Sequence, residues 1–502
     1  MKFSRTMWHE PAKSPAMVAR CRRKLLPAAV LVPLSITLSA CIAVGGDYRA
    51  APPAASETSW IDRKNVAVPE ETFVAWWRDL GDPVLTRLIE TSLQDNLTIR
   101  QGLSRIEEAA AIRQNVRGRL APTVDGEASV TVLQQSLNSQ PGLDQLPGFE
   151  RQFEQYALGG ALNWQIDLWG QTRRRIDAAD ARLDGLVAAA NGARLAIAAE
   201  TAATYFTMAG FIQERRALEL GIEAQRVQRD LGIVQLREGE ISRAQLVLIE
   251  SELARLEAQV PQLESEIRAN ALALGALTGR LPEAETELSR SAPPLIEFPD
   301  IPVGTRAALL QRRPDVARLE RELAAQTFEI GVARGELFPQ LALDASGGFT
   351  SIDPGTLFNE DSTRFTIVPF LRWRLFNGGR VRAEIRLAEA EARTAALAYE
   401  EAVLTAIEEA EIGIARYDLA RQGTATVLRT IELAQENVRL SRIRFEAGEI
   451  SRIELQDAER RLSDALRNGA SSYRQATVAL VQLYAALGGG WQAVATQEIQ
   501  AE

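Results

Sequence analysis

The sequence predicts a mainly α-helical chain built from two equivalent halves, each a long helical hairpin with two β-strands at its open end. Three observations predict this. The pentapeptide Gly-Glu-Ile-Ser-Arg is written twice, at Gly239 to Arg243 and at Gly448 to Arg452. The segments that precede the two copies, from Gln171 and from Arg380, each run about sixty-five residues with almost no helix breaker, long enough at 1.5 Å per residue to approach 100 Å. Between Pro122 and Gly170, and again between Pro339 and Gly379, the pattern switches from helical spacing to strict alternation of apolar and polar residues.

Taken in chain order, "RCRRKLLPAAVLVPLSITLSAC" has a basic start at Arg20, Arg22, Arg23 and Lys24, then an apolar stretch, then Leu38-Ser39-Ala40-Cys41. The last four residues resemble a bacterial lipobox, whose cysteine is lipidated and becomes the mature first residue. Residues 1–40 therefore read as a lipoprotein signal peptide and Cys41 as the site of a covalent lipid; translation starts at Met1 or, for a more typical signal length, at Met17. Ile42, rather than an acidic residue, follows the cysteine, as in lipoproteins sent on to the outer membrane. Residues 41–75 read as a lipid-anchored linker, and Trp76 and Trp77, at the start of the first repeat (76–281), as packing residues rather than a binding platform.

Strands are expected at about 122–133 and 156–169, where Val124, Gly126, Ala128, Val130 and Val132 alternate with Asp125, Glu127, Ser129 and Thr131, and Leu162, Trp164 and Ile166 alternate with Asn163 and Gln165. The second half repeats them at about 339–350 and 364–376. Two solvent-backed hairpins of a soluble domain would show this alternation. So would tilted strands crossing a bilayer, which need about nine to eleven residues. Four strands leave exposed edges, and a membrane barrel closes only with about eight or more. Bilayer strands would thus force oligomerisation.

At each tip a glycine suits the left-handed position that ends a helix. Three residues on, Ser242 and Ser451 suit the N-cap of the next helix, with Gln245 and Glu454 placed to complete a capping box. After the first tip, Leu246, Ile249, Leu253, Leu256, Val260, Leu263, Ile267, Asn270, Leu274 and Leu277 keep an unbroken 3,4 spacing, the seam of a coiled coil, with Pro261 expected to kink it. The second seam is largely small, with Ala458, Ala465, Gly469, Ser472, Ala476, Ala479 and Ala486. A Pro-rich connector (282–304) joins the first repeat to the second (305–488), and a tail (489–502) follows. At an offset of 209, Trp164, Gly170 and Ile176 lie over Trp373, Gly379 and Ile385; upstream the offset is 217.

Removing residues 1–40 takes seven Lys/Arg and one Glu, so the formal charge falls from −9 to −15. An acidic chain argues against nucleic acid as a partner. His9 and Cys21 leave with the signal, which excludes His-based triads, His metal sites and disulfides within one mature chain. No unbroken run of 18 apolar residues remains, so no transmembrane helix is expected.

With the lipobox, "WWRDLGDPVLTRLI" from Trp76, "FPQLALDASGGF" from Phe338, "LFNGGRVRAEI" from Leu375 and the duplicated tips in this order, the chain resembles the outer-membrane factors of the TolC and OprM type, in the NodT-like lipoprotein branch of drug-efflux systems. The resemblance implies a homotrimer whose twelve strands, four per protomer, form one outer-membrane β-barrel, continued by a long α-helical coiled-coil barrel across the periplasm. It implies a passive exit duct of a tripartite system that passes drugs or other small molecules from an inner-membrane pump, of the resistance-nodulation-division type, through a periplasmic adaptor. The alternatives are the duct of a type I protein or peptide secretion system and a non-conducting trimeric scaffold lipoprotein; an enzyme is not expected.

By the same resemblance the tips, Gly239, Glu240, Ile241, Ser242 and Arg243 with Gly448, Glu449, Ile450, Ser451 and Arg452, are expected to contact the adaptor. Glu454 and Asp457, i,i+3 on one helix face, are expected to form acidic rings at the periplasmic constriction, where the first copy has Gln245 and Leu248. Such rings favour cations and bind divalent ions, so divalent block is expected at Asp457. Glu454 also suits a capping role with Ser451, whereas Asp457 has none. No cofactor beyond the lipid on Cys41, and no structural metal, is expected.

Overall fold

The computed structural model describes residues 44–49, 59–61, 63–64, 66–136, 150–290 and 293–492. Cys41 and the signal peptide lie outside the described residues. Short helix α1 (Glu71–Val74) leads into a 3₁₀ turn carrying Trp76 and Trp77, then α2 (Pro83–Asp95) and α3 (Leu97–Gly118). Strands β1 (Thr123–Gln134) and β2 (Gln152–Ile166) follow, then α4 (Gln171–Arg237), α5 (Arg243–Glu257) and α6 (Val260–Leu277). The second half has α7 (Arg306–Arg312), α8 (Pro314–Gly335), β3 (Gln340–Ser351), β4 (Thr363–Arg372), α9 (Arg380–Glu446) and α10 (Arg452–Ala486).

The duplication is visible element by element. Helices α4 and α9 are each 67 residues and start 209 residues apart; α3 and α8 are each 22 residues, and β1 and β3 each 12, at the upstream offset of 217. Even a side-chain bond is repeated. The Trp164 indole N–H donates to the Leu120 carbonyl at 2.9 Å, and its counterpart Trp373 donates to Leu337 at 3.0 Å.

All four strands form one antiparallel sheet in the order β1-β2-β3-β4. Its register puts Val124, Leu162, Ala345 and Ile367 in one row on one face, and Asp125, Ala161, Ser346 and Thr366 in the next row on the other. The outer edges of β1 and β4 pair with no further strand among the described residues. Apolar side chains stay in the open, with Val124 71 % and Phe365 80 % exposed.

Below the sheet the helices form a layer in the same order, α3 on α4, α4 on α8 and α8 on α9; nearer the tips α10 packs on both α4 and α9, while α5 and α6 pack on α4. Pro261 ends one helix rather than bending it: α5 stops at Glu257 and α6 starts at Val260 with the proline in its first turn, where a missing N–H costs nothing. One window of α4 is long and apolar enough to cross a bilayer, against the expectation drawn from unbroken runs, with mean hydropathy 1.3 despite its charges. Just over half of it, 56 %, is buried against neighbouring helices, which is how the core helix of a bundle reads.

The main core lies at mid-height, where α1, α2, the connector and both hairpins meet. Trp76 and Trp77 are 1 % and 0 % exposed, and Trp76 stacks on Tyr484 with centroids 4.7 Å apart, so both are packing residues. Buried Asp82 caps α2 through the Val84 and Leu85 N–H groups and accepts from the Tyr205 hydroxyl at 2.7 Å; burial first, and then this bond, raises the Tyr205 phenol well above its usual range. The connector is tied across the second hairpin, with the Tyr417 hydroxyl donating to Pro299 and the Ile296 N–H to the Tyr473 hydroxyl.

Candidate functional site

Both tips close with the same backbone bonds. Gly239 and Gly448 sit at φ 75° and 76°, the left-handed conformation that glycine adopts without strain. The N–H groups of Glu240 and Glu449 reach back five residues to the carbonyls of Gln235 and Arg444, each at 2.8 Å, completing Schellman motifs. The caps differ. Ser242 and Gln245 form a full capping box, whereas at the second tip only the Glu454 N–H bonds the Ser451 hydroxyl, at 3.3 Å. The box expected there is half made, and the Glu454 carboxylate is left exposed.

Around the tips Arg243 pairs with Glu250 and Arg444 with Glu449, and Arg452 lies over the Phe445 ring. Ile241 and Ile450 are half-buried. Asp457 is not free. Arg460 and Arg461 on its own helix hold its two oxygens at 2.6 and 3.0 Å, a pairing that the i,i+3 and i,i+4 spacing of "DAERR" makes legible. Between the two expected carboxylates, the one with a suspected structural duty is therefore the less engaged. Beneath them α10 lies close on α4: the Ser463 hydroxyl donates to the Ala217 carbonyl at 2.8 Å, and a Cβ on Gly221 would fall 2.5 Å from the Ser463 oxygen.

At the opposite end, the strand–helix junction carries features that the sequence reading passed over. Trp164, Trp169 and Trp373 all donate their indole N–H to backbone carbonyls there, Trp169 to Pro339 at 2.7 Å. The Val44 N–H bonds the Trp169 carbonyl, and the buried Arg174 guanidinium holds the Val44 and Gly45 carbonyls and the Asp47 carboxylate. The chain just downstream of Cys41 is thus strapped to the foot of the sheet. Arginines crowd this level, in "QTRRRI" and "GGRVRAEIR". The signal was their placement on both sides of the strands.

A family model described as "Outer membrane efflux protein" matches residues 88–280 and 306–489, one match per half. The chain is 30% identical over 469 residues to the outer membrane protein OprJ of Pseudomonas aeruginosa, covering 91% of this chain and 95% of that protein. It is 28% identical over 471 residues to nodulation protein T of Rhizobium leguminosarum bv. trifolii, covering 92% and 97%. Among solved structures it superposes on the outer-membrane channel OprN with a TM-score of 0.77 at 30% identity, covering 89% of this chain and 99% of that one.

Proposed function

The chain belongs to the outer membrane efflux protein family, and from that premise we propose that three copies close into a passive exit duct. It is an outer-membrane channel component of an efflux system in a Gram-negative bacterium. The observation that carries the trimeric duct is the sheet, with its apolar face bare and both outer edges unpaired among the described residues. Three copies give twelve strands, enough to close a barrel. Down flank helix α9, Leu397, Leu404, Leu419, Leu433 and Leu440, each 47 % or more exposed, recur near multiples of seven residues and so offer an apolar stripe for a neighbouring helix. Conductance of the purified protein in planar bilayers tests the reading. Discrete ion-conducting steps are expected, and a trimer that inserts without conducting leaves only a scaffold.

The lipid on Cys41 and the partners belong to the same proposal. Labelled palmitate is expected to enter the wild type and to be lost in Cys41→Ser. The tips, Gly239 to Arg243 and Gly448 to Arg452, are read as the end that meets a periplasmic adaptor, behind which stands an inner-membrane pump. Trp at Ile241 and Ile450 should weaken efflux at unchanged trimer level; full drug resistance in that variant counts against tip docking.

Rings of Glu454 and Asp457 are read as the periplasmic constriction. Because Arg460 and Arg461 offset the Asp457 charge, Glu454→Ala should lower cation selectivity more than Asp457→Ala, and the double variant should relieve block by divalent ions. Unchanged selectivity and block in the double variant moves the constriction elsewhere.

A further inference from the structure

The chain is acidic overall, yet several arginines at the strand–helix junction stand exposed with no ion-pair partner among the described residues, four of them on its two flanks. Arg117 and Arg119 end α3 or follow it directly, four to six residues before β1 begins. Arg382 and Arg386 lie in the first two turns of α9, four residues apart and so on one side of the helix. Three nearby acids are engaged elsewhere: Glu336 holds Arg374, Glu384 holds Arg380 and Glu389 holds Arg334.

The two pairs sit on opposite flanks of the protomer, because the helix layer runs α3-α4-α8-α9 beneath strands that run β1-β2-β3-β4. A closed ring of identical copies joins them head to tail, β4 of one copy beside β1 of the next. Closure therefore brings Arg382 and Arg386 of one copy toward Arg117 and Arg119 of the next. Four guanidinium groups at one seam repel one another unless an anion lies between them.

The depth of the seam says what that anion is. Trp164 and Trp373 mark the same level with their indoles tied to Leu120 and Leu337, and Trp373 is 54 % exposed; ring-and-polar-tip side chains of this kind settle at the headgroup level of a bilayer. Arginine forks suit phosphate oxygens, and basic clusters beside bilayer-spanning segments recruit anionic headgroups. We propose that each protomer seam binds the headgroup phosphate of an anionic phospholipid in the periplasmic leaflet, through Arg117 and Arg119 of one copy and Arg382 and Arg386 of the next. This rests on the closed-ring reading above.

The test is the thermal dissociation of the purified full-length trimer in neutral detergent, read as the trimer fraction on native gels, with phosphatidylglycerol, phosphatidylcholine or inorganic phosphate added. For the wild type, phosphatidylglycerol should raise the dissociation midpoint, and the other two should not. The combined R117Q, R119Q, R382Q and R386Q variant should hold its trimer at least as well without lipid, since the repulsion is gone, and should lose the phosphatidylglycerol response, with lipid affinity falling about fivefold per arginine removed. The four corresponding Arg→Lys changes should keep the response, which separates charge from packing. An equal response of the glutamine variant and the wild type, or equal stabilisation by phosphatidylcholine or inorganic phosphate, overturns the proposal while leaving the trimer intact. A chain that is monomeric under every condition overturns the closed ring itself.

Discussion

In the first half of the chain the seam beyond the tip holds Leu256, Val260, Leu263 and Ile267; 209 residues later the same register holds Ala465, Gly469, Ser472 and Ala476. The two tips that open these seams close with the same Schellman bonds. What differs is how many neighbours each returning helix has. Helices α5 and α6 pack on one long helix, α4, with α6 also against the 3₁₀ segment Pro282–Arg290, whereas α10 packs on two long helices, α4 and α9. A helix wedged between two others at close approach has room for methyl groups and hydrogens where a helix on one partner has room for leucine. Duplication preserved the turn, and the packing environment set the side chains.

The strongest way to break that comparison is to exchange residues across it. Ile267 is 2 % exposed and its counterpart Ala476 is 0 % exposed. Ile267→Ala leaves a cavity and should cost about 2–5 kcal/mol, while Ala476→Ile forces α10 away from its neighbours and should cost about 1–3 kcal/mol. Guanidinium unfolding followed by helical circular dichroism measures both. If the alanine position accepts isoleucine without loss, the second seam is not close-packed and the comparison fails.

A smaller difference lies in the caps. Ser242 makes a reciprocal box, so Ser242→Ala should raise amide exchange in the first turn of α5 by about fivefold, equivalent to about 1 kcal/mol. Ser451 makes one bond at 3.3 Å, and Ser451→Ala should change exchange in α10 less. Gln245→Ala should loosen α5, and Glu454→Ala should leave α10 unchanged. Equal protection in both pairs would mean that Glu454 does cap in solution.

Much of this architecture was legible in the sequence. Breaker-free stretches located α4 and α9, alternation located the strands, and the repeat fixed their equivalence. Legibility ended where the outcome depends on which helix lies beside which. The half-made box at Ser451 comes from a rotamer choice at Glu454, whereas the pairing of Asp457 with Arg460 and Arg461 could be read from their spacing. The arginines at the strand–helix junction were visible as letters, but that Arg117 and Arg382 lie on opposite flanks follows only from the order of the helices. The strap from Val44 to Asp47 is held by Arg174, about 130 residues away in sequence, a separation that local pattern does not span.

The finest contrast between the halves is a polar one at the start of α3 and α8, where the chain enters two equivalent 22-residue helices. In the first half Asn96 caps α3 through the Thr98 N–H and donates to the Leu277 carbonyl at 2.9 Å, with no ionisable group involved. In the second half the largely buried Arg313 guanidinium bonds both oxygens of Asp315, pairs with Glu409 and donates to the Ala486 carbonyl. Burial acts to raise the Asp315 carboxyl, but the Arg313 fork outweighs it and holds that group below the usual carboxylate value. A depressed folded-state pKa gives stability that is present above the unfolded value, near 4, and lost as pH falls through the folded one. The Asp315 side chain is 45 % exposed, so screening limits the contribution to below about 1 kcal/mol. Stability at the α8 end should therefore decline below about pH 4 in the wild type and decline less steeply in Asp315→Asn, whereas Asn96→Ala should lower stability by a similar amount at every pH. Amide exchange at the first turns of α3 and α8, measured between pH 3 and pH 7 and corrected for intrinsic rates, distinguishes the two. A wild-type profile at α8 as flat as that at α3 would mean that the ion pair adds no more than the neutral cap it replaces.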